Sequence, residues 1–286
     1  MSKIAYVIDS TSILTDERYK DIRIEVVSLG VSVDEVDTKE VDMSDETMVA
    51  SLNKNIKSSS PSPKDFQDAY TKLIKEGYED IVVLPLSSGI SSTINSAKIA
   101  KDGLEDYFAE HIHIVDTLVC NYALVNAIDS CLDYMLNPEA DVNEIVAKLD
   151  EACRNSTTMF TITDLKHLVR GGRIGKVTGF IGGVLKIKPV VAIKKDGKLD
   201  LVHIKRKDSD IMKLFEEKFK EYKEKFKNVF CRIISLTRDN EHNQLVNNVK
   251  QNYSTFHLSD IKRVGPVFLV HLGNQGYGIT ITGNNW

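Results

Sequence analysis

Residues 81–97 constrain the chain most. Ile81-Val82-Val83-Leu84 reads as a buried strand, and the hydroxyl-rich turn from Pro85 to Ser92 runs straight into a helix. Ser88, Gly89, Ser91 and Ser92 thereby fall around a helix N-terminus. Unpaired N–H groups and the positive end of the helix dipole favour a phosphate or carboxylate there, and serine hydroxyls add donors. A single serine would serve as N-cap. Between Ser87 and Thr93 there are five hydroxyl residues, so the expectation is an anion or polar-ligand site.

The same strand-to-helix pattern extends on both sides. Lys3 to Ile8 reads as a strand, with Asp9, Ser10, Thr11 and Ser12 at its end, where open parallel sheets bind ligands; an Asx turn is the structural alternative for Asp9. Ile24 to Val33 reads as one strand, and the acidic segment 34–46 as a solvated surface loop before a helix near Met48 to Asn55. Lys57 to Pro63 is a second hydroxyl cluster, read in isolation as a flexible or capping loop before a helix from Lys64 to Lys75. His111 to Thr117 is another strand, so Asp9, Ser91 and Asp116 share one edge. Helices over Asn121 to Leu136 and Val142 to Asn155 close the pattern. The size of the chain, 286 residues, favours two domains with a cleft between them. The boundary falls near Arg154 to Thr158, giving an N-terminal α/β domain over 1–156 and a second over 157–286.

The second half contains Arg170-Gly171-Gly172-Arg173 and then a glycine-spaced apolar segment with Phe180, Ile181, Val184 and Leu185. Glycine at that density implies close packing or ligand approach. Val190 to Ile193 and Leu199 to Ile204 flank the turn Lys195 to Lys198 as a hairpin, with Arg206 just beyond. Asp210 to Lys227 is a charged amphipathic helix, Phe230 to Leu236 a strand, Glu241 to Asn252 a helix, and Val267 to Leu272 a final strand ending at His271 and a glycine-rich turn.

With 42% hydrophobic and 27% charged residues and a net charge of −4, the chain has a globular composition and no basic footprint for nucleic acid. Cys120, Cys131, Cys153 and Cys231 lack zinc spacing and read as free thiols. No apolar run has the length of a signal-peptide core or membrane span, and a reducing cytoplasm is the expected location. Gly171 to Lys176 departs from the Walker A spacing, and Gly273 to Gly278 from the dinucleotide fingerprint. A serine hydrolase lacks its elbow, since Gly89-Ile90-Ser91-Ser92-Thr93 has no second glycine. Arg170 and Arg173 are candidate anion binders.

Asp9-Ser10-Thr11, Ser58-Ser59-Ser60-Pro61-Ser62, Leu86 to Thr93, Gly171 to Ile174, Lys188-Pro189, Gly265-Pro266 and His271-Leu272-Gly273 occur in the order found in the DegV family. The chain resembles that family, the fatty acid-binding proteins that serve bacterial fatty acid kinase, over essentially its whole length. The resemblance implies two α/β domains, the N-terminal one a Rossmann-like parallel sheet, with a long-chain fatty acid such as hexadecanoate buried between them. It assigns the carboxylate to Ser58 and Ser91, with Ser59, Ser88, Arg173 and His271 nearby, and gives Arg206 the basic position that faces the kinase. Phe180, Ile181, Val184 and Leu185 would sheath the acyl chain, each buried methylene contributing about 0.8 kcal/mol. The chain would be a carrier that presents the carboxylate for ATP-dependent phosphorylation to acyl phosphate, feeding phospholipid synthesis. It would use no cofactor or metal and would touch membranes transiently. The alternative is a serine hydrolase or transferase acting on a small carboxylated or phosphorylated substrate. Two positions depart from the family pattern. Ser58 stands where Thr is usual and keeps the hydroxyl, and Ser92 stands where Gly is usual and puts a side chain into the turn.

Overall fold

A computed structural model of the chain describes residues 3–14, 17–163, 165–173, 187–237, 239–261 and 263–286. In chain order the elements are β1 (Ile4–Asp9), β2 (Ile24–Val27), β3 (Gly30–Val33), β4 (Val36–Lys39), α1 (Asp45–Ser51), β5 (Ile56–Ser59), α2 (Pro63–Lys75), β6 (Asp80–Leu84), α3 (Thr93–Asp102), α4 (Asp106–Glu110) and β7 (Ile112–Ile114). Next come α5 (Tyr122–Ser130), α6 (Leu132–Leu136), α7 (Val142–Arg154), β8 (Ser156–Ile162), α8 (Lys166–Arg170), β9 (Lys188–Ile193), β10 (Leu199–Lys205), α9 (Asp208–Lys225), β11 (Asn228–Leu236), α10 (Asp239–Asn252), β12 (His257–Ile261), α11 (Pro266–Leu272) and β13 (Gly276–Asn284).

The expected Rossmann-like sheet is present: β2-β1-β6-β7, all parallel. Its central strands β1 and β6 are buried on both faces, which is why they read as continuous apolar runs. Ala5 and Val7 face Phe66, Tyr70 and Leu73 of α2, while the alternate residues Tyr6 and Ile8 join the cluster containing α5 and α7. A mixed sheet, β10-β9-β8-β13-β11-β12, packs Tyr277, Ile279 and Ile281 against Phe215 and Phe219 of α9. Helix α5 joins the two sheets. Asn126 Nδ2 donates to the carbonyls of Phe230 and Thr280, both at 3.2 Å, and Asp129 pairs with the buried Arg232 at 2.7 Å. A small antiparallel sheet, β4-β3-β5, packs with α1 and α11 over Met48, Val267 and Val270.

Five readings of the sequence are corrected. Val267 to Leu272 is helix rather than strand: Gly265 at φ 89° turns the chain, Pro266 occupies the first turn, and a run apolar except for His271 carries no period that separates the two states. Ile24 to Val33 is two strands in different sheets, broken at Ser28-Leu29, where the Leu29 amide bonds Ser10 Oγ at 2.9 Å. The acidic segment holds β4, and Glu40, only 3% exposed, is a buried acid rather than a surface one. Lys57 to Ser59 is strand, while Ser62 forms a capping box with Asp65 for α2. The glycine-rich stretch after His271 opens β13, a wholly buried interior strand; a Cβ on Gly278 would sit 2.5 Å from that of Phe160. The hairpin around Lys195 to Lys198 forms as expected, between β9 and β10.

Candidate functional site

The serine-rich turn is shaped by buried acids and hydroxyls. Asp9, fully buried at the end of β1, accepts from the Thr11 amide at 3.0 Å and from the Leu86 amide at 2.6 Å, tying the two strand ends together. This is the Asx-turn role rather than a ligand role, and burial pushes its carboxyl up from the ordinary value. Asp116 accepts from the Ser88 amide at 3.2 Å, and Ser87 Oγ donates to the Gly197 carbonyl at 2.8 Å at the tip of the β9–β10 hairpin. Ser91 and Ser92 are thereby set at the start of α3. The side chain of Ser92, the N-cap residue, makes no capping bond.

The second serine cluster comes alongside on β5. Ser58 Oγ lies 2.7 Å from His271 Nε2, and Ser60 Oγ lies 3.1 Å from Ser91 Oγ and 3.0 Å from Ser92 Oγ. Ser59 sits against Gly30, where a Cβ would collide with its hydroxyl. His271 is carried by α11, whose N-terminus is held by acids: the Val267 amide donates to Glu40 Oε1 at 3.0 Å, and the amides of Val264 and Gly265 to Asp45 Oδ2 at 3.3 and 3.4 Å. Burial pushes Glu40 up to about 7, against the pull of Ser10 and Val267.

These residues open on a cleft that is partly exposed to solvent. Ser58, Ser59, Ser60, Ser91, Arg173 and His271 line its polar part. Met159, Phe160, Ile193, Leu199, Leu236 and Phe268, drawn from the mixed sheet and α11, line the rest. An apolar cavity with a few convergent polar groups is the ordinary form of a small-molecule site. Ser88 is not part of it: its side chain is exposed and only its amide is used, on Asp116. Arg206 is exposed and lines a separate hollow with Lys188, Asp208 and Tyr277, where Lys188 pairs with Asp208 at 2.8 Å. Phe180, Ile181, Val184 and Leu185 lie outside the described residues. Ser60 and the wall formed by β8, β9 and β10 were not singled out from sequence. The signal for Ser60 was its place in the second hydroxyl cluster.

Ser58 and His271 have the spacing of a nucleophile and its base, yet the pair is poorly suited to that chemistry. His271 Nδ1 is buried with no partner among the described residues, packed where a Cβ on Gly171 would strike it, so none of the described carboxylates orients the ring. Burial, then Arg173, Arg170 and His167, pushes the imidazole down to about 4, which makes it a weak base at neutral pH. With no acceptor for Nδ1 among the described residues, the neutral ring is best placed with its proton on Nε2, donating to Ser58 and freeing the serine proton for a ligand. Cys120, also on the wall, is pushed up to about 12 by burial and is not a nucleophile. Among the described residues no cluster of His, Cys, Asp or Glu could hold a metal ion, and no helix is long and apolar enough to cross a membrane.

Fold and cleft together define a mixed α/β protein whose parallel and mixed sheets flank an apolar cavity with hydroxyl, imidazole and guanidinium groups at its polar end. A family model described as "Uncharacterised protein, DegV family" matches residues 3–284. The chain belongs to the DegV family. It is 31% identical over 231 residues to a fatty acid-binding protein of Thermotoga maritima, covering 79% of this chain and 77% of that one. Its structure resembles that of a stearic acid-binding protein from Eubacterium ventriosum, with a TM-score of 0.83 at 26% identity over 99% and 98% of the two chains. It shares the fold of DegV from Bacillus subtilis, with a TM-score of 0.85 at 22% identity over 99% and 100%.

Proposed function

We propose that the protein binds a long-chain fatty acid such as hexadecanoate in this cleft and is a carrier rather than a catalyst. The observation that carries the reading is the form of the cavity: a large apolar lining that ends on hydroxyl donors and a guanidinium. Ser58 and Ser91 hold the carboxylate, supported by Ser59, His271 and Arg173; Ser88 acts through the shape of the turn. Residues 1–156 and 157–286 act as two domains closing on the ligand. The relatives described as fatty acid-binding proteins support the ligand class.

The carrier presents the carboxylate to a separate fatty acid kinase, with the exposed Arg206 facing that partner, and the acyl phosphate formed feeds phospholipid synthesis. Four free, buried cysteines suit work in a reducing cytoplasm. The test is reconstitution with a fatty acid kinase subunit, ATP and labelled hexadecanoate, trapping acyl phosphate as the hydroxamate. Product is expected only with all components present, and reduced at least tenfold by Arg206→Ala. Product formed equally well without this protein would contradict the carrier role.

A further inference from the structure

The hydroxyls at the polar end of the cleft form a chain whose direction can be worked out. Thr93 is fully buried, and among the described residues the one hydrogen bond of its hydroxyl is to Ser91 Oγ, at 2.8 Å. That proton therefore goes to Ser91. Ser91 Oγ also accepts the Thr93 amide at 3.3 Å, so both of its lone pairs are occupied and its own proton must point away, to Ser60 Oγ at 3.1 Å. Ser60, having accepted from Ser91, has its own proton free for Ser92 Oγ at 3.0 Å, and Ser92 is exposed. Four hydroxyls joined by three hydrogen bonds use three protons and leave one over.

We propose that Ser60 is a further binding residue of this site, the link in a Thr93–Ser91–Ser60–Ser92 donor chain that selects an ionised acyl carboxylate over a neutral head group. The inference rests on the fatty-acid reading above and adds to it the basis of head-group choice. Ser60 and Ser91 both line the cleft, so a carboxylate arriving there takes the protons that these two hydroxyls otherwise pass along the chain. A carboxylate brings acceptors alone and matches a row of donors. An alcohol head group offers one neutral oxygen where a carboxylate offers two charged ones, so the same pair of donors gains less from it. Ser92 has a role in this arrangement: it takes the end of the chain at the surface, which a glycine there could not do. Ser60 and Ser92 therefore act as a pair.

The experiment measures dissociation constants for hexadecanoate and hexadecan-1-ol in wild type, Ser60→Ala, Ser60→Thr, Ser92→Gly and the Ser60→Ala/Ser92→Gly double variant. Ser60→Ala is expected to weaken hexadecanoate about tenfold, as for loss of a hydrogen bond to a charged group, and to leave hexadecan-1-ol within twofold. Ser60→Thr, which keeps the hydroxyl, restores the preference, and the double variant is no weaker than Ser60→Ala alone. A wild type that binds the acid while Ser60→Ala binds it equally well, or loses acid and alcohol in parallel, overturns this inference and leaves the fatty-acid reading standing. A wild type that binds neither overturns both.

Discussion

At the scale of single residues, the most consequential side chain outside the polar cleft is Glu40. Its carboxylate receives the Ser10 hydroxyl and the Val267 amide, so one buried acid ties the end of β1 to the helix that carries His271. Asp9 and Asp45 face it as like charges, and Asp45 is itself paired with Arg263 at 3.3 Å. Burial favours the protonated form in the fold, raising the pKa from 4.5 to about 7. Stability from this group is therefore fully present below about 4.5 and is lost as pH rises to 7. The linked change is on the order of 3 kcal/mol at about 1.4 kcal/mol per pH unit. Urea unfolding of wild type and Glu40→Gln at pH 5 and pH 8 checks this. The variant is expected to gain relative to wild type at pH 8, and an unchanged difference between the two pH values would rule out the titration.

At the scale of elements, the polar end of the cleft is made by contacts between pieces distant in sequence. The tip of the β9–β10 hairpin lies against the serine-rich turn, with Gly197 buried at φ 76° and its carbonyl 2.5–2.6 Å from where a Cβ on Gly89 would be. Glycine is required on both sides, by conformation at Gly197 and by space at Gly89. Gly197→Ala places a methyl on Ser87 Oγ and is expected to cost roughly 1–3 kcal/mol in urea unfolding. Less than 0.5 kcal/mol would mean that this contact does not matter. The central parallel strands β1 and β6 were legible because burial on both faces makes them continuous apolar runs, and β9–β10 because Asp196-Gly197 marks its turn. The helix α11 was not, because Val267 to Leu272 is apolar except for His271 and its helical state is decided by Gly265, Pro266 and acids from residues 40 and 45. β13 was hidden by its glycines, of which Gly276 is crowded by Thr161 and Ile162 and Gly278 by Phe160, all on the neighbouring strand.

At the scale of the molecule, α5 and the Asp129–Arg232 pair join the two sheets, and the cleft draws its walls from both halves of the sequence. The serine clusters were visible as local chemistry, and the family pattern paired them. The hydroxyl chain through Ser60 was not visible, because it exists only once β5 and the start of α3 are side by side. The same holds for the buried Nδ1 of His271, whose surroundings come from Gly171 one hundred residues away in sequence. The central claim is that the cavity is built for a fatty acid, and native mass spectrometry of the purified protein, followed by denaturing extraction and identification of what is released, tests it most directly. The account predicts one long-chain fatty acid per chain, lost together with affinity for added hexadecanoate in Ser58→Ala/Ser91→Ala. A protein repeatedly free of lipid that also fails to bind added fatty acid would contradict it.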